Sequence, residues 1–257
     1  MNRSQITFFV DDVNSSAVVA SALSTLAKKF KSLITIINIT QNRRASLSTT
    51  MGVFQAGLLK DDLCQIEAIG LDSELACFVL KGIIAEHYSL VGSNISSTFS
   101  DQLSERIPQL NLPCDVHWHY AKACTQLSKF ECLKGLAHLI HPQEPDELIL
   151  AFIKREERSS TCVTPGIALP HVMFADIDHL AIAVIASKEP ISWASVIGDV
   201  NLAIALVLPA KPNREQIVTV TNLTRNLLCD QMTERLVATR NSIDLQALLM
   251  YSMTRLL

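Results

Sequence analysis

The stretch REERSSTCVTPGIALPH, Arg155 to His171, runs from an arginine-rich segment through a turn and a short apolar run into a proline and a histidine. Ile167, Ala168 and Leu169 read as a short buried strand. Gly166 permits a close or left-handed turn before it, and Pro170 removes a backbone donor and fixes the approach to His171. Histidine titrates near neutrality, so one ring nitrogen can stay unprotonated and nucleophilic while the other is fixed by donating its proton to a neighbour. Such an imidazole can carry a phosphoryl group. Taken alone, the Leu-Pro-His tripeptide also suits a structural histidine that closes a strand.

Around this segment the pattern alternates helices with strands. Lys129 to Ile140 reads as an amphipathic helix and Pro145 to Glu157 as a second, beginning near a Pro-Asp cap. Leu180 to Ala186 and Leu202 to Leu208 read as buried strands, and Gln216 to Leu228 and Ile243 to Leu257 as closing helices. Mixed strands between helices predict an α/β fold, a three-layer α/β sandwich with a mixed sheet, over residues 105–257. Residues 1–91 predict a separate α+β unit of β-α-β-α-β-α order. Its strands are Ile6 to Val10, Leu33 to Ile39 and Leu63 to Ile69; its helices are Ser15 to Phe30, Met51 to Leu59 and one from Asp72 or Ser73 to His87. Leu75, Phe78, Val79, Ile83 and Ile84 are expected on the apolar side of that last helix. Residues 92–104, GSNISSTFSDQLS, read as a linker.

Composition limits the function. The chain has 257 residues, 49% of them hydrophobic, and a formal net charge of −3. It can bury a core, and it offers no basic field for nucleic acid. Apolar runs such as Ala181 to Ala186 fall far short of the roughly 20 residues a membrane helix needs, so no membrane insertion is expected. The opening MNRSQITFFVDDVN lacks a secretory apolar region, and a cytoplasmic location is expected. Seven cysteines without a tight CxxC pair fit reduced, buried thiols. Among Cys124, Cys132, His138 and His141 the Cys-Cys spacing is wide for a structural zinc site and the two histidines sit within a helical apolar pattern, so no metal is expected.

Arg155, Glu156, Ser160, Thr161, Gly166, Ile167, Ala168, Pro170 and His171 fall in one gap-free signature. It is similar to the active-site segment of the fructose/mannitol/nitrogen-type enzyme IIA proteins of the bacterial phosphotransferase system. The likeness continues through Pro190-Ile191-Ser192-Trp193, the apolar run Val200 to Leu208, Leu208-Pro209-Ala210 and the helix-like Gln216 to Leu228. The resemblance implies that His171 is the phosphorylated histidine and that Arg155 steadies the phosphoryl group. A guanidinium fork matches the charge on the equatorial oxygens of a phosphoryl group in flight. Thr161 and Ser160 are candidate hydroxyl donors to the same oxygens, although such residues also serve as plain turn formers. The family's second histidine aligns with Gln216, whose amide can hydrogen-bond a phosphate but cannot titrate. The family's glycine-rich tetrapeptide is replaced by Cys162-Val163-Thr164-Pro165, which leaves fewer free backbone N–H groups for a phosphate. His179 does not align and reads as a surface or strand-entry residue.

Residues 1–91, with AIGLDSELA at 68–76, resemble HPr, an open-faced α+β sandwich and the phosphocarrier that feeds enzyme IIA. The acceptor histidine of HPr aligns with Asn14, its arginine with Ser16, and its regulatory serine falls near Thr50. The expectation is an HPr-like domain without HPr's acceptor. The resemblance implies a phosphohistidine relay that needs no cofactor, with HPr as donor and an enzyme IIB as acceptor. An alternative is a phosphorylation-dependent regulatory protein of the nitrogen type, acting on a partner protein, with the N-terminal unit as a docking or inhibitory domain. A hydrolase pairing His171 with Asp176 or Asp178 would require a nucleophile turn, and no Gly-x-Ser-x-Gly turn is present.

Overall fold

A computed structural model of the chain describes residues 2–11, 16–92, 98–100 and 102–255. It divides into two compact units, Met1–Ile95 and Ser96–Leu257. The sequence placed the second domain at residue 105. Residues 98–100 and 102–104 fall in the second unit. The Thr98 carbonyl accepts from the Ser242 hydroxyl, and the backbone of Ser100 is held at both N–H and C=O by the Gln246 amide.

In the first unit the order is β1 (Arg3–Phe9), α1 (Ser16–Ala27), β2 (Leu33–Asn38), β3 (Arg43–Ser46), α2 (Thr50–Ala56), β4 (Leu63–Ile69), α3 (Ser73–His87) and β5 (Ser89–Leu90). The sheet runs β3-β2-β4-β1-β5 with every pairing antiparallel. Alternate strand residues decide the faces. Ile6 and Phe8, Ile34 and Ile36, and Cys64, Ile66 and Ala68 share one core with Val19 and Leu23 of α1 and with Ala76, Cys77, Leu80 and Ile84 of α3. The opposite face carries polar pairs. Buried Glu67 takes Arg3 at 3.4 Å and Arg44 at 3.3 Å, and Gln65 donates to Thr7 at 3.1 Å. With helices on one side only, this is the expected open-faced sandwich. One expectation fails. Leu75 and Phe78 are exposed, because a 100° turn per residue brings Ala76, Cys77, Leu80 and Ile84 over the sheet and leaves 75 and 78 outside.

Asp72 precedes α3 but does not cap it. Its carboxylate accepts instead from the N–H groups of Lys31 (2.7 Å) and Ser32 (2.8 Å) and from the Ser32 hydroxyl, tying the α1–β2 turn to the start of α3. The Ser32 hydroxyl foremost, and then the Lys31 N–H, hold the Asp72 carboxyl below its ordinary value of 3.8.

The second unit contains α4 (Leu103–Arg106), a 3₁₀ turn (Pro108–Leu110), β6 (Val116–Ala123), α5 (Lys129–Ile140), α6 (Asp146–Arg158), β7 (Cys162–Thr164), β8 (Gly166–Ala168), β9 (His171–Phe174), β10 (Leu180–Ile191), β11 (Val200–Pro209), α7 (Arg214–Asn226), α8 (Asp230–Ala238) and α9 (Ser242–Thr254). Its sheet runs β6-β10-β11-β8-β7, with β9 also on β11. β6/β10, β11/β8 and β11/β9 are parallel; β10/β11 and β7/β8 are antiparallel. Ala181, Ala183, Ile185, Ala203, Ala205 and Val207 meet Leu133, Leu136, Leu148 and Phe152 of α5 and α6. The alternates Ile182, Val184, Leu202, Ile204 and Leu206 are buried too. Two buried faces require a layer on each side. The second layer is built on α9, buried along nearly all its length, Asp244, Gln246 and Ser252 included, with α7 and α8 against it. Strand β6 and helix α8 are additions to the sequence reading. β6 reads VHWHYAKA, a half-exposed edge strand without an apolar run.

Four cysteines, at 64, 77, 132 and 162, are buried, while Cys124 and Cys229 are exposed, which departs from the buried-thiol expectation. Burial pushes the Cys77 and Cys132 thiols up to about 12.

Because the Asp72 carboxyl is depressed in the folded state, its contribution to stability is fully present above the ordinary value of 3.8 and is lost as pH falls through the lower folded value. Asp72→Asn is expected to remove this part of the acid dependence. Amide hydrogen exchange of β2 and α3, followed from neutral to acid pH, should show weaker protection at neutrality and a flatter acid limb in the variant.

Candidate functional site

The site begins at the end of α6. That helix opens with Asp146 and Glu147 and ends with Arg155 and Arg158, charges that complement its dipole at both ends. Leu148, Ile149 and Phe152 bury its inner face, and Arg155 emerges one turn past Phe152. The chain then forms β7, turns back at Gly166 and continues as β8. At Gly166 φ is +86°, a value open to glycine. A Cβ there would also lie 3.1 Å from Val237.

β8 and β9 lie along the same edge of β11, one after the other. β8 pairs with Val200 to Ala203, and β9 with Leu206 to Pro209. Leu169 and Pro170 interrupt them. Proline cannot donate to the ladder, but its carbonyl still accepts from the Leu206 N–H at 2.9 Å, so the break is anchored. His171 follows immediately, exposed, with its backbone back in register opposite Leu206.

Both ring nitrogens are engaged. Nδ1 lies 2.9 Å from the Leu169 carbonyl oxygen, which can only accept, so Nδ1 carries the proton. Nε2 lies 3.2 Å from Arg155 Nε and 3.1 Å from Arg155 Nη2, and a guanidinium can only donate. Each partner therefore imposes the same tautomer, which leaves the lone pair on Nε2. The guanidinium is itself held through Nη1 by the Ser159 carbonyl (3.0 Å) and hydroxyl (3.2 Å).

Glu156, the next residue, supports the other side of the ring. Its Oε2 accepts from the Thr161 N–H (3.1 Å) and hydroxyl (2.6 Å), and its Oε1 meets Lys129 Nζ at 3.4 Å. The Thr161 hydroxyl accepts in turn from the indole N–H of buried Trp193 at 3.3 Å, and Lys129 donates to the Trp193 carbonyl at 3.1 Å. The Thr161 carbonyl then accepts from the Leu169 N–H at 2.8 Å. Hydrogen bonds thus run from Glu156 through Thr161 and Leu169 to Nδ1 of His171.

His171 and Arg155 are in direct contact. The residues named as support for the phosphoryl group are placed differently. Thr161 is buried with its proton given to Glu156, so it positions the Leu169 segment and is not an open donor. Ser160 is exposed, and its hydroxyl accepts from the Cys162 N–H at 3.3 Å. Gln216 is buried in the first turn of α7, its amide oxygen completing a capping box with Asn213 at 2.9 Å. Among the described residues no hydrogen bond joins Gln216 to His171 or Arg155. The roles of Glu156 as a carboxylate anchor, of Trp193 and of Lys129 were not anticipated. The Arg-Glu pair was in the signature, but nothing in it ties Glu156 to Thr161. His179 immediately precedes β10, and its ring stacks on that of His117 with centroids 3.6 Å apart.

A concavity of about 510 Å³ lies along β6, lined by residues such as His117, Trp118, Gln246 and Met250, and it includes neither His171 nor Arg155. His171 is exposed, and its ring lies outside that concavity.

Residues 125–251 match the family model of the phosphoenolpyruvate-dependent sugar phosphotransferase system, EIIA 2. Residues 11–86 match the model of the PTS HPr component phosphorylation site. Multiphosphoryl transfer protein 1 of Escherichia coli (strain K12) is 31% identical over 114 residues, 44% of this chain and 13% of that protein, so the chain spans a small part of its curated relative. Among solved structures, nitrogen regulatory protein IIA-Ntr from Neisseria meningitidis is 20% identical with a TM-score of 0.46, over 52% of this chain and 92% of that one. A mycoplasma histidine-containing phosphocarrier protein is 27% identical with a TM-score of 0.30, over 32% and 93%. The chain thus resembles an HPr-like domain followed by an enzyme IIA of the phosphotransferase system. Asn14 and the side chain of Ser16, on which HPr's own chemistry would bear, lie outside the described residues.

Removing the Glu156 carboxylate leaves Thr161 and Lys129 without their anchor. Glu156→Ala is expected to destabilise the second unit by about 2 kcal/mol. Both tryptophans, Trp118 and Trp193, lie in that unit, so urea unfolding followed by tryptophan fluorescence should show the midpoint fall. An unchanged midpoint would contradict the anchoring role.

Proposed function

We propose that this chain is a phosphoryl carrier of the phosphoenolpyruvate-dependent sugar phosphotransferase system, an enzyme IIA of the fructose/mannitol type. In this reading it takes phosphate from HPr on His171, passes it to an enzyme IIB, and works in the cytoplasm. The observation that carries the reading is the exposed Nε2 lone pair of His171 in contact with the Arg155 guanidinium. Among the described residues no helix is long and apolar enough to cross a membrane.

The Nε2 lone pair attacks phosphorus on the donor's phosphohistidine. A new N–P bond forms as the donor's N–P bond breaks, and the electron pair returns to the donor ring. As phosphorus takes the place of the guanidinium on the Nε2 lone pair, Arg155 releases Nε2 and turns its N–H groups, already beside the ring, to the charge on the equatorial oxygens. The proton stays on Nδ1, donated to the Leu169 carbonyl, which keeps the phosphorylated ring cationic and makes it a good leaving group. When an enzyme IIB nucleophile attacks phosphorus, the Nε2–P bond breaks and the neutral ring is restored. Positioning and charge stabilisation suffice, with no metal or nucleotide in the steps.

The regulatory reading of the nitrogen type, with a partner protein that senses the phosphorylation state, is favoured by one observation. Gln216 stands where the family's second histidine aligns, and its oxygen is committed to the α7 cap. A relay site without that histidine keeps the acceptor but loses a titratable helper.

Purified chain incubated with labelled phosphoenolpyruvate, enzyme I and HPr should take up acid-labile, alkali-stable label. His171→Ala should take up none, and equal labelling of both would end the relay reading. Arg155→Ala should slow uptake by about 100-fold, with Arg155→Lys in between. Label that enters His171 but never passes to any enzyme IIB would favour the regulatory reading.

A further inference from the structure

The outer side of α3 carries a pattern that neither the fold nor the relay uses. Leu71, just ahead of the helix, then Leu75, Phe78, Gly82 and Ala85 follow one another at spacings of four, three, four and three. This is the spacing of a helix-packing seam. Leu71 is 96% exposed, Leu75 58% and Phe78 77%, and Gly82 and Ala85 are exposed as well. The core needs none of them, since Ala76, Cys77, Leu80 and Ile84 already fill the face toward the sheet.

Gly82 points the same way. Glycine weakens a helix interior, and a Cβ at Gly82 would meet nothing within 4 Å, so no neighbour in the unit requires its absence. A glycine on an exposed seam lets another surface approach closely.

We propose that this face binds the same face of a second copy of the chain, with the two α3 helices antiparallel. In that register Leu75 of one copy meets Phe78 of the other, and Leu71 of one covers Gly82 of the other, large residue over gap. The charges are compatible with this orientation. Glu74 and Lys81 lie on one flank of the seam. Antiparallel packing puts that flank of both copies on the same side and brings Glu74 toward Lys81 of the second copy twice over. Leu71, Leu75 and Phe78 together present roughly 400 Å² of apolar surface, in the range of patches that are often functional. A stable complex buries about 800 Å² per partner, so the association is weak and reversible. The proposal does not rest on the relay reading.

Sedimentation velocity of the full chain across a concentration series should show a monomer–dimer equilibrium with a Kd on the order of 10 μM or weaker. Phe78→Ser, a change at an exposed position that should leave the circular dichroism unaltered, should weaken association at least tenfold. Glu74→Lys and Lys81→Glu should each weaken it about threefold to tenfold, and the two together should restore it. A monomer at every concentration, a dimer indifferent to Phe78→Ser, or single charge changes that simply add without restoration would each overturn the proposal. So would binding of this face to a different protein without self-association.

Discussion

Everything proposed for the second unit depends on the fixed tautomer of His171. A free imidazole exchanges its proton between two nitrogens, and only the unprotonated one attacks. Here two consecutive residues at the end of one helix set both ends of the ring. Arg155 donates to Nε2 directly, and Glu156 reaches Nδ1 through Thr161 and Leu169. Because the last turn of α6 carries both groups, the ring and the guanidinium beside it are positioned by one element. The carboxylate never approaches the reacting atom and acts through backbone hydrogen bonds.

The break between β8 and β9 lets this arrangement meet solvent. A continuous edge strand would commit the backbone of residues 169–171 to the ladder. Pro170 has no N–H to give, and the Leu206–Pro170 bond keeps the break from propagating. The Leu169 carbonyl is thereby free to serve the imidazole. The same residues that interrupt the strand also supply the acceptor that sets the proton.

Most of the fold was legible because it rests on periodicity. Lys129–Ile140, Leu63–Ile69 and Ser73–His87 coincide with the predicted spans, since strong apolar patterns and caps such as Ser128 with Glu131 are local signals. β6 was not legible, because an edge strand with one side open carries no apolar run. Leu75 and Phe78 were assigned inward because a broad apolar helix does not reveal which of its stripes meets the sheet. In the candidate site, His171 and Arg155, both singled out from the signature, are in direct contact. Thr161 and Gln216 were assigned to the phosphate from residue type and alignment, yet their polar atoms are engaged with Glu156 and Asn213. Hydrogen-bond partners of that kind are distant choices that spacing does not encode.

By itself the sequence determined the order of most elements and the likeness to an HPr-like part followed by an enzyme IIA-like part, and it singled out the imidazole and guanidinium as candidates, because these follow from local patterns and side-chain chemistry. Only the tertiary structure decided which ring nitrogen bears the proton, which polar residues support the backbone around it, and which face of α3 remains uncovered. Those outcomes depend on groups brought together from separate elements: a helix end, a hairpin, an interrupted edge strand and the Trp193 segment. Their hydrogen bonds exist only once the chain has closed around them.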